Sequence, residues 1–231
     1  MTAFLTSTPS AERGGEFYTE NGFSEALRAA LPARALTALL ITSDPAEPAR
    51  TAHMAAELRE TLERSGFTVE RFDALDGAND ADAPSLCAAA DLIFLAGGHV
   101  PTQNAFFRRI GLRALLAGFA GVVVGISAGS MNSAETVYAQ PELPGESTDA
   151  AFVRFLPGLG LTTKQIIPHY QAIRDELLDG RRLFEDITYP DSFGREFFAI
   201  PDGSYLRIDG SGERFFGEVR RIADGVCARV Q

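Results

Sequence analysis

Short runs of apolar residues alternate with helical patterns through the first half of this chain, and this alternation restricts the fold more than any other feature. Strands apolar throughout must be buried on both faces, so the helices between them have to cover both sides of one parallel sheet. The strands are predicted at residues 3–6, 35–42, 67–72, 91–95 and 121–126, and the helices at 23–31, 48–64 and 102–116. The sequence therefore predicts an α/β fold, a three-layer α/β/α sandwich with a mostly parallel central sheet.

The second half of the chain is less regular. Residues 139–163 are rich in proline and glycine and are predicted to form a long structured loop. Strands are predicted at 164–168, 196–200 and 205–208, with a helix around 175–187 and an edge strand at 215–220. No repeat or linker interrupts the 231 residues, so we expect one domain over residues 1–231.

The charge and composition limit the partners. A formal net charge of −10 and a pI near 4.8 disfavour binding to nucleic acid and to anionic membranes. The N-terminus has no signal-peptide pattern, and no apolar run is long enough to span a bilayer. Two distant cysteines, Cys87 and Cys227, have no metal-binding spacing. We expect a cytoplasmic monomer or homodimer without metal or cofactor, acting on a small molecule.

A possible nucleophile follows the last apolar strand of the first half. Gly125-Ile126-Ser127-Ala128-Gly129 matches the G-x-S-x-G pattern of a nucleophile elbow, a sharp strand-to-helix turn that exposes a serine. The small neighbours allow the strained backbone of such a turn. The backbone N–H groups of Ala128 and of Gly98 are the candidate donors to an oxyanion, since Gly98 follows a neighbouring strand.

The chain has three histidines that could serve as the base. His53 is predicted on a helix surface, and His99 follows the glycine turn, where it contacts substrate or belongs to a loop. His169 ends the apolar run 165–168, at the tip of a strand, and is the candidate general base for Ser127.

Two acidic residues could orient His169. Asp202 lies at the tip of another predicted strand, although Pro-Asp-Gly is also an ordinary turn signal. Glu142, in the loop after the elbow helix, is the rival. We favour Asp202 because a strand end fixes a side chain better than a loop does.

At these residues the chain resembles the peptidase E family of serine peptidases, which includes aspartyl dipeptidase and, more distantly, cyanophycinase. The similar segments occur in the family's order: Leu95-Ala-Gly97-Gly98, Gly125-Ile-Ser127-Ala-Gly129, Ile167-Pro168-His169-Tyr170 and Ile200-Pro201-Asp202-Gly203. The resemblance implies a fold like that of class I glutamine amidotransferases, which is flavodoxin-like, with Ser127 in place of their cysteine.

The resemblance also implies a Ser–His–acid mechanism that removes N-terminal aspartate from short peptides without a metal. Asp202 stands where the family often has glutamate, and Glu142 where another acid has been proposed. An arginine binds the substrate's aspartyl carboxylate in the dipeptidases, and Arg181 or Arg182 lies at about the corresponding position. The segment 99–104 departs from the family's Gly-Gly-Asn pattern, which makes aspartyl specificity a weaker expectation than hydrolysis.

Two other functions are compatible with the same residues. The order Ser127, Glu142, His169 would suit an α/β-hydrolase esterase, although 62 residues follow His169, whereas such enzymes usually place the histidine near the C-terminus. A non-catalytic binding protein on the same scaffold is the other alternative.

Overall fold

The computed structural model of the protein describes residues 1–230. Its strands are β1 (Thr2–Thr6), β2 (Leu36–Ile41), β3 (Val69–Leu75), β4 (Leu92–Leu95), β5 (Val122–Ile126), β6 (Thr136–Tyr138), β7 (Phe155–Pro157), β8 (Gln165–Ile167), β9 (Leu177–Leu178), β10 (Arg181–Arg182), β11 (Glu196–Ala199), β12 (Tyr205–Asp209), β13 (Gly212–Phe216), β14 (Arg220–Ala223) and β15 (Val226–Arg229). Its α-helices are α1 (Phe23–Ala30), α2 (Pro48–Arg64), α3 (Ala83–Ala89), α4 (Val100–Arg109), α5 (Leu112–Ala117), α6 (Ala128–Asn132), α7 (Tyr170–Ile173) and α8 (Tyr189–Asp191). Short 3₁₀ turns lie at Glu20–Gly22 and Asp80–Asp82, and a π-helix lies at Leu183–Thr188.

The central sheet has seven strands in the order β13-β12-β1-β5-β4-β2-β3. The five strands from β1 to β3 in this order are parallel, while β12 and β13 add an antiparallel edge beside β1. This confirms the prediction of an α/β fold with a mostly parallel central sheet. The predicted strands of the first half coincide with β1 to β5 within a few residues.

Successive residues of the central strands point into two different cores, because side chains alternate across a sheet. Ile93 and Val123 belong to one core, and Phe94 and Val124 belong to the other. Helices α3, α4 and α5 cover the first core, and α1 and α2 cover the second. The helices thus lie on both faces of the sheet, in the three predicted layers.

Four strands of the second half form a second sheet, which the sequence did not separate from the first. Its order is β15-β14-β11-β8, and β8 and β11 are its parallel pair. Ile166 and Phe198 of this sheet enter the first central core, whereas Ile167 and Phe197 pack into a smaller cluster with the π-helix. One face of the second sheet is therefore anchored to the central layer, which fixes the two sheets against each other.

The helix predicted around residues 175–187 is wrong over residues 177–182, whereas Leu183–Thr188 is a π-helix. Residues 177–182 form a hairpin of β9 and β10, in which Leu178 pairs with Arg181. The two turn residues, Asp179 and Gly180, have φ of 53° and 77°. An Asp-Gly pair with positive φ at both residues is a strong hairpin signal, and it outweighs the helical spacing of the apolar residues.

Two other boundaries differ from the prediction. The single helix expected over 102–116 is split into α4 and α5 at Gly111, whose φ of 65° ends a helix. The strand predicted at 215–220 is interrupted at Gly217, with φ of 87°, between β13 and β14. No helix within residues 1–230 combines the length and apolar character needed to cross a membrane.

Candidate active site

Ser127 occupies the strained turn that the sequence predicts. It lies between β5 and α6 with φ of 51° and ψ of −110°, a conformation rare for a residue with a side chain. Its N–H is shared between the carbonyl oxygens of Thr6 and Ser7, each at 3.1 Å. A Cβ at Gly125 would lie 2.9 Å from the Ser130 nitrogen, so the tight bend needs glycine there. These contacts hold a backbone that costs about 1–3 kcal/mol to strain.

His169 and Asp202 meet at the carboxyl ends of the two parallel strands of the second sheet. Strand β8 pairs with β11, and the Ile200 N–H continues the ladder by donating to the Ile167 carbonyl at 2.9 Å. The residues just beyond are thereby brought side by side. His169 Nδ1 lies 2.7 Å from Asp202 Oδ1. The bond at Nδ1 leaves Nε2 as the ring nitrogen able to accept a proton.

Three side chains surround the Asp202 carboxylate. Ser7 donates to Oδ1 at 2.5 Å and Gln171 donates to Oδ2 at 2.6 Å, in addition to the bond from His169. Burial alone would raise the pKa of Asp202, but the hydrogen bonds from these donors stabilise the charged form and hold that pKa below its ordinary value. Asp202 is therefore an ionised partner for His169 at neutral pH.

Ser7 is the functional neighbour that sequence reasoning missed. It follows β1 directly and is completely buried. Its Oγ accepts the His169 N–H at 2.8 Å while donating to Asp202. The sequence shows only a polar residue in a turn after a short strand. Which strands flank β1 is a long-range property that local pattern does not reveal.

A cavity of about 340 Å³ lies beside these groups. Ser127 and His169 both line it, together with the glycine turn after β4. A Cβ at Gly97 would lie 3.4 Å from Ser127 Cβ, and one at Gly98 would overlap the Ser43 hydroxyl. The rest of the wall comes from the end of β5, the N-terminal loop and α2, namely Ile126, Thr8, Pro9, Ser10, Arg13, Gly14, Arg50, Met54, Glu57, Leu58 and Thr61.

The Ser127 hydroxyl forms no hydrogen bond to His169 within the described part of the chain, residues 1–230. Catalytic hydrogen bonds are often long before substrate binds, so a shared cavity is the relevant observation. Both side chains are partly exposed, as a nucleophile and its base must be.

Glu142 and His99 form a separate group at the start of α4. Glu142 Oε1 accepts the Val100 N–H at 3.1 Å, and no hydrogen bond within residues 1–230 joins it to His169. Desolvation of its carboxyl raises the pKa of Glu142. Both ring nitrogens of His99 are engaged, Nδ1 with Thr102 Oγ1 at 2.7 Å and Nε2 with Glu146 Oε1 at 2.8 Å. These contacts fit the loop role that the sequence left open for His99, and they join Glu142 to the backbone of α4.

Arg181 and Arg182 do not line the cavity, which corrects their expected position. Both lie exposed on the β9–β10 hairpin, where Arg181 reaches the Ser147 carbonyl at 3.4 Å and Arg182 pairs with Asp186 at 2.7 Å. The cavity instead contains Arg13 and Arg50, and neither forms an ion pair within residues 1–230.

A serine on a strained strand-to-helix turn of a parallel sheet, with a carboxylate-bonded imidazole lining the same cavity, is the arrangement of α/β proteins built around a nucleophile elbow. Residues 45–215, most of the chain, match peptidase family S51, so the protein belongs to this family of peptidases. The resemblance to the peptidase E family that the sequence motifs indicate is thereby confirmed.

A solved structure shows the same fold. It is the crystal structure of a candidate peptidase E protein from Listeria monocytogenes EGD-e, with a TM-score of 0.61 and 17% sequence identity. The similarity covers 93% of this chain and 96% of the Listeria chain. No curated protein matches the sequence.

Proposed function

We propose that this protein is a serine peptidase that hydrolyses short peptides, with Ser127 as nucleophile, His169 as general base and Asp202 as the acid that orients the base. One observation carries the proposal. His169, joined to Asp202 at 2.7 Å, lines the same cavity as a serine held on a strained turn. Membership of peptidase family S51 supports the choice of a peptide as substrate.

The reaction follows from the hydrogen-bonding capacity of the three groups. His169 Nε2 accepts the Ser127 proton while Ser127 Oγ attacks the carbonyl carbon of the scissile peptide bond. The imidazolium, stabilised by ionised Asp202, then donates that proton to the leaving amine. In the second half, His169 removes a proton from water, and the resulting hydroxide cleaves the acyl-enzyme and releases Ser127.

The oxyanion donors must be backbone groups near Ser127. The N–H of Ser127 itself already bonds to two carbonyl oxygens, at Thr6 and Ser7, so it is not available. The N–H of Ala128, the first residue of α6, and that of Gly98 in the adjoining glycine turn are the proposed donors. One such donor contributes about 3–4 kcal/mol to catalysis in a known serine peptidase.

The cavity supports a small substrate with a carboxylate. Its volume of about 340 Å³ is at the low end for ligand sites. Arg13 and Arg50 are its unpaired cations, and a guanidinium binds a carboxylate through two parallel hydrogen bonds. We therefore propose dipeptides with N-terminal aspartate as first substrates, bound through these arginines in place of Arg181.

The test is a panel of dipeptides and aminoacyl anilides, with acidic and neutral members, assayed on wild type and Ser127→Ala. We expect turnover to fall by several orders of magnitude in Ser127→Ala. Ser10→Ala, which removes another side-chain hydroxyl from the same cavity, is the matched control and should keep its activity. Equal hydrolysis by wild type and Ser127→Ala would exclude the proposed nucleophile.

The arginines are tested separately. Arg13→Ala and Arg50→Ala should raise KM for acidic peptides and leave KM for neutral peptides nearly unchanged, because only the former present a side-chain carboxylate. Arg181→Ala, on the exposed hairpin, is the control. If Arg181→Ala is the only variant that raises KM for acidic peptides, the side-chain carboxylate is bound at the hairpin.

The esterase alternative depends on Glu142 as the third member. Glu142 bonds to the Val100 N–H instead of His169, which favours the peptidase proposal. Labelling by a serine-directed phosphonate tests the non-catalytic alternative. Mass spectrometry should locate the adduct on Ser127, and a protein that stays unlabelled would favour a binding role.

A further inference from the structure

We infer that Ser7 is a positioning residue that holds the proposed base and acid in register with the nucleophile. The inference rests on the proposed function and extends it to a fourth residue. Ser7 contacts all three members of the proposed triad. Its hydroxyl contacts His169 and Asp202, and its carbonyl oxygen accepts the Ser127 N–H at 3.1 Å.

The hydroxyl of Ser7 determines which nitrogen of His169 carries the proton. A hydroxyl has one hydrogen to donate, and that of Ser7 goes to Asp202 Oδ1 at 2.5 Å. It is therefore not available to His169 Nδ1, which lies 3.2 Å from the same hydroxyl oxygen. Nδ1 must carry its own proton to bond to Asp202, so Nε2 is left free to act as the base.

The same hydroxyl also supports the backbone of His169. This residue has φ of 56°, which is unusual for a residue with a side chain. The Ser7 oxygen accepts its N–H at 2.8 Å. Ser7 is completely buried, so water cannot replace the hydroxyl if it is removed. Removal would therefore loosen both the ring and the backbone that carries it.

The position of Ser7 in the fold explains why one residue can do this. Strand β1 pairs with β5 in parallel, with Thr6 opposite Ile126, so the residues that follow each strand are neighbours. The parallel strands β8 and β11 of the second sheet place His169 and Asp202 beside Ser7. Ser7 thus lies where the end of the central sheet meets the end of the second sheet, between the nucleophile and its base.

The test compares Ser7→Ala with Ser192→Ala. Ser192 is a matched control because it is also completely buried, donates to the Tyr189 carbonyl at 2.7 Å and accepts the Gly225 N–H at 2.9 Å, remote from Ser127. Each variant loses one donated and one accepted hydrogen bond. A purely structural effect would therefore be similar in the two proteins.

We expect Ser7→Ala to lower kcat by about 10- to 100-fold, the range found when a group that supports an active-site ligand is removed. KM should change little, because Ser7 does not reach the cavity surface. Ser192→Ala should retain the wild-type kcat and KM.

Proton NMR gives a readout that does not need a substrate. With only three histidines in the chain, a His169→Gln variant assigns the resonances of His169. In Ser7→Ala, the Nδ1–H resonance should move upfield or broaden, because the ring and its backbone are held less firmly against Asp202. Cooperative urea unfolding verifies that each variant is folded.

The outcomes separate the inference from the proposed function. An unchanged Nδ1–H resonance and kcat in folded Ser7→Ala, or changes matched by Ser192→Ala, would overturn the inference while leaving Ser127 as nucleophile. A shifted or broadened Nδ1–H resonance in a protein that hydrolyses no peptide would support the Ser7 arrangement and refute the peptidase proposal.

Discussion

Replacing Asp202 with asparagine removes one charge and almost no volume, so it isolates the electrostatic role of the carboxylate. The new amide also has to place an NH₂ group where an oxygen accepted before. If the NH₂ group takes the place of Oδ2, it faces the Gln171 donor. If it takes the place of Oδ1, it faces the donors of His169 and Ser7. Either rotamer therefore loses at least one hydrogen bond in addition to the charge.

The magnitude follows from the distance between the two groups. Unit charges separated by 2.7 Å attract by about 1.5 kcal/mol in water and about 6 kcal/mol at an effective dielectric constant of 20. The side chains of His169 and Asp202 are 34% and 30% exposed, which places the pair between these limits, at about 3 kcal/mol. At about 1.4 kcal/mol per factor of ten, Asp202→Asn should lower kcat/KM by about 100-fold.

The assay is kcat/KM for the best peptide of the panel, measured across the pH range in which histidine titrates. Glu142→Gln is the control, because glutamine keeps an oxygen acceptor for the Val100 N–H and removes only the charge of the rival acid. Its kcat/KM should stay close to that of wild type. A loss in Glu142→Gln as large as that in Asp202→Asn, or full activity in Asp202→Asn, would refute the assignment.

Three further predictions concern stability and reactivity. A Cβ at Gly129 would overlap a carbonyl oxygen of β4, so Gly129→Ala should lower the free energy of unfolding in urea by about 1–3 kcal/mol. Gly118→Ala, in open space with negative φ, should change it by less than about 0.5 kcal/mol, and equal effects would contradict the overlap. Hydrogen bonds from the Arg182 side chain and N–H lower the pKa of Asp186 to about 2. The stability that these bonds give to the folded protein is complete above the ordinary aspartate pKa near 4 and is lost as the pH falls toward 2. Asp186→Asn should therefore unfold at lower urea than wild type at neutral pH, with the two midpoints converging near pH 2, and a constant difference would contradict this. Burial raises the pKa of Cys87 to about 11, so in the native protein this thiol should react slowly with iodoacetamide at about pH 8. Rapid labelling of Cys87, found by peptide mapping, would contradict this prediction.

The features that the sequence predicts well are each determined by a short, continuous segment of the chain. The run 121–126 is apolar throughout, and Gly125, Ser127 and Gly129 follow it at fixed spacing, so the strand and the elbow are both local. His169 and Asp202 each follow a proline that ends an apolar segment, and this is also a local signal.

The features that were missed depend on which distant segments become neighbours. Ser7 acquires its contacts because β1 lies beside β5 and the second sheet meets its end. Arg13 and Arg50 reach the cavity from a loop and a helix whose positions follow from the packing of the sheet. The hairpin at Asp179 had a local signal in its Asp-Gly pair, but the apolar spacing around it favoured a helix.

The division of the reacting groups between two sheets also bears on when the protein can become active during its synthesis. Ser127 directly follows β5, which is synthesised before the strands of the second sheet. Asp202 follows β11 and precedes β12, the strand that flanks β1. On the proposed mechanism, a nascent chain can form its elbow but lacks the complete base and acid until residue 202 has been made and packed beside Ser7. Hydrolysis therefore begins only when Ser7 and Asp202, 195 residues apart in the chain, have come into contact.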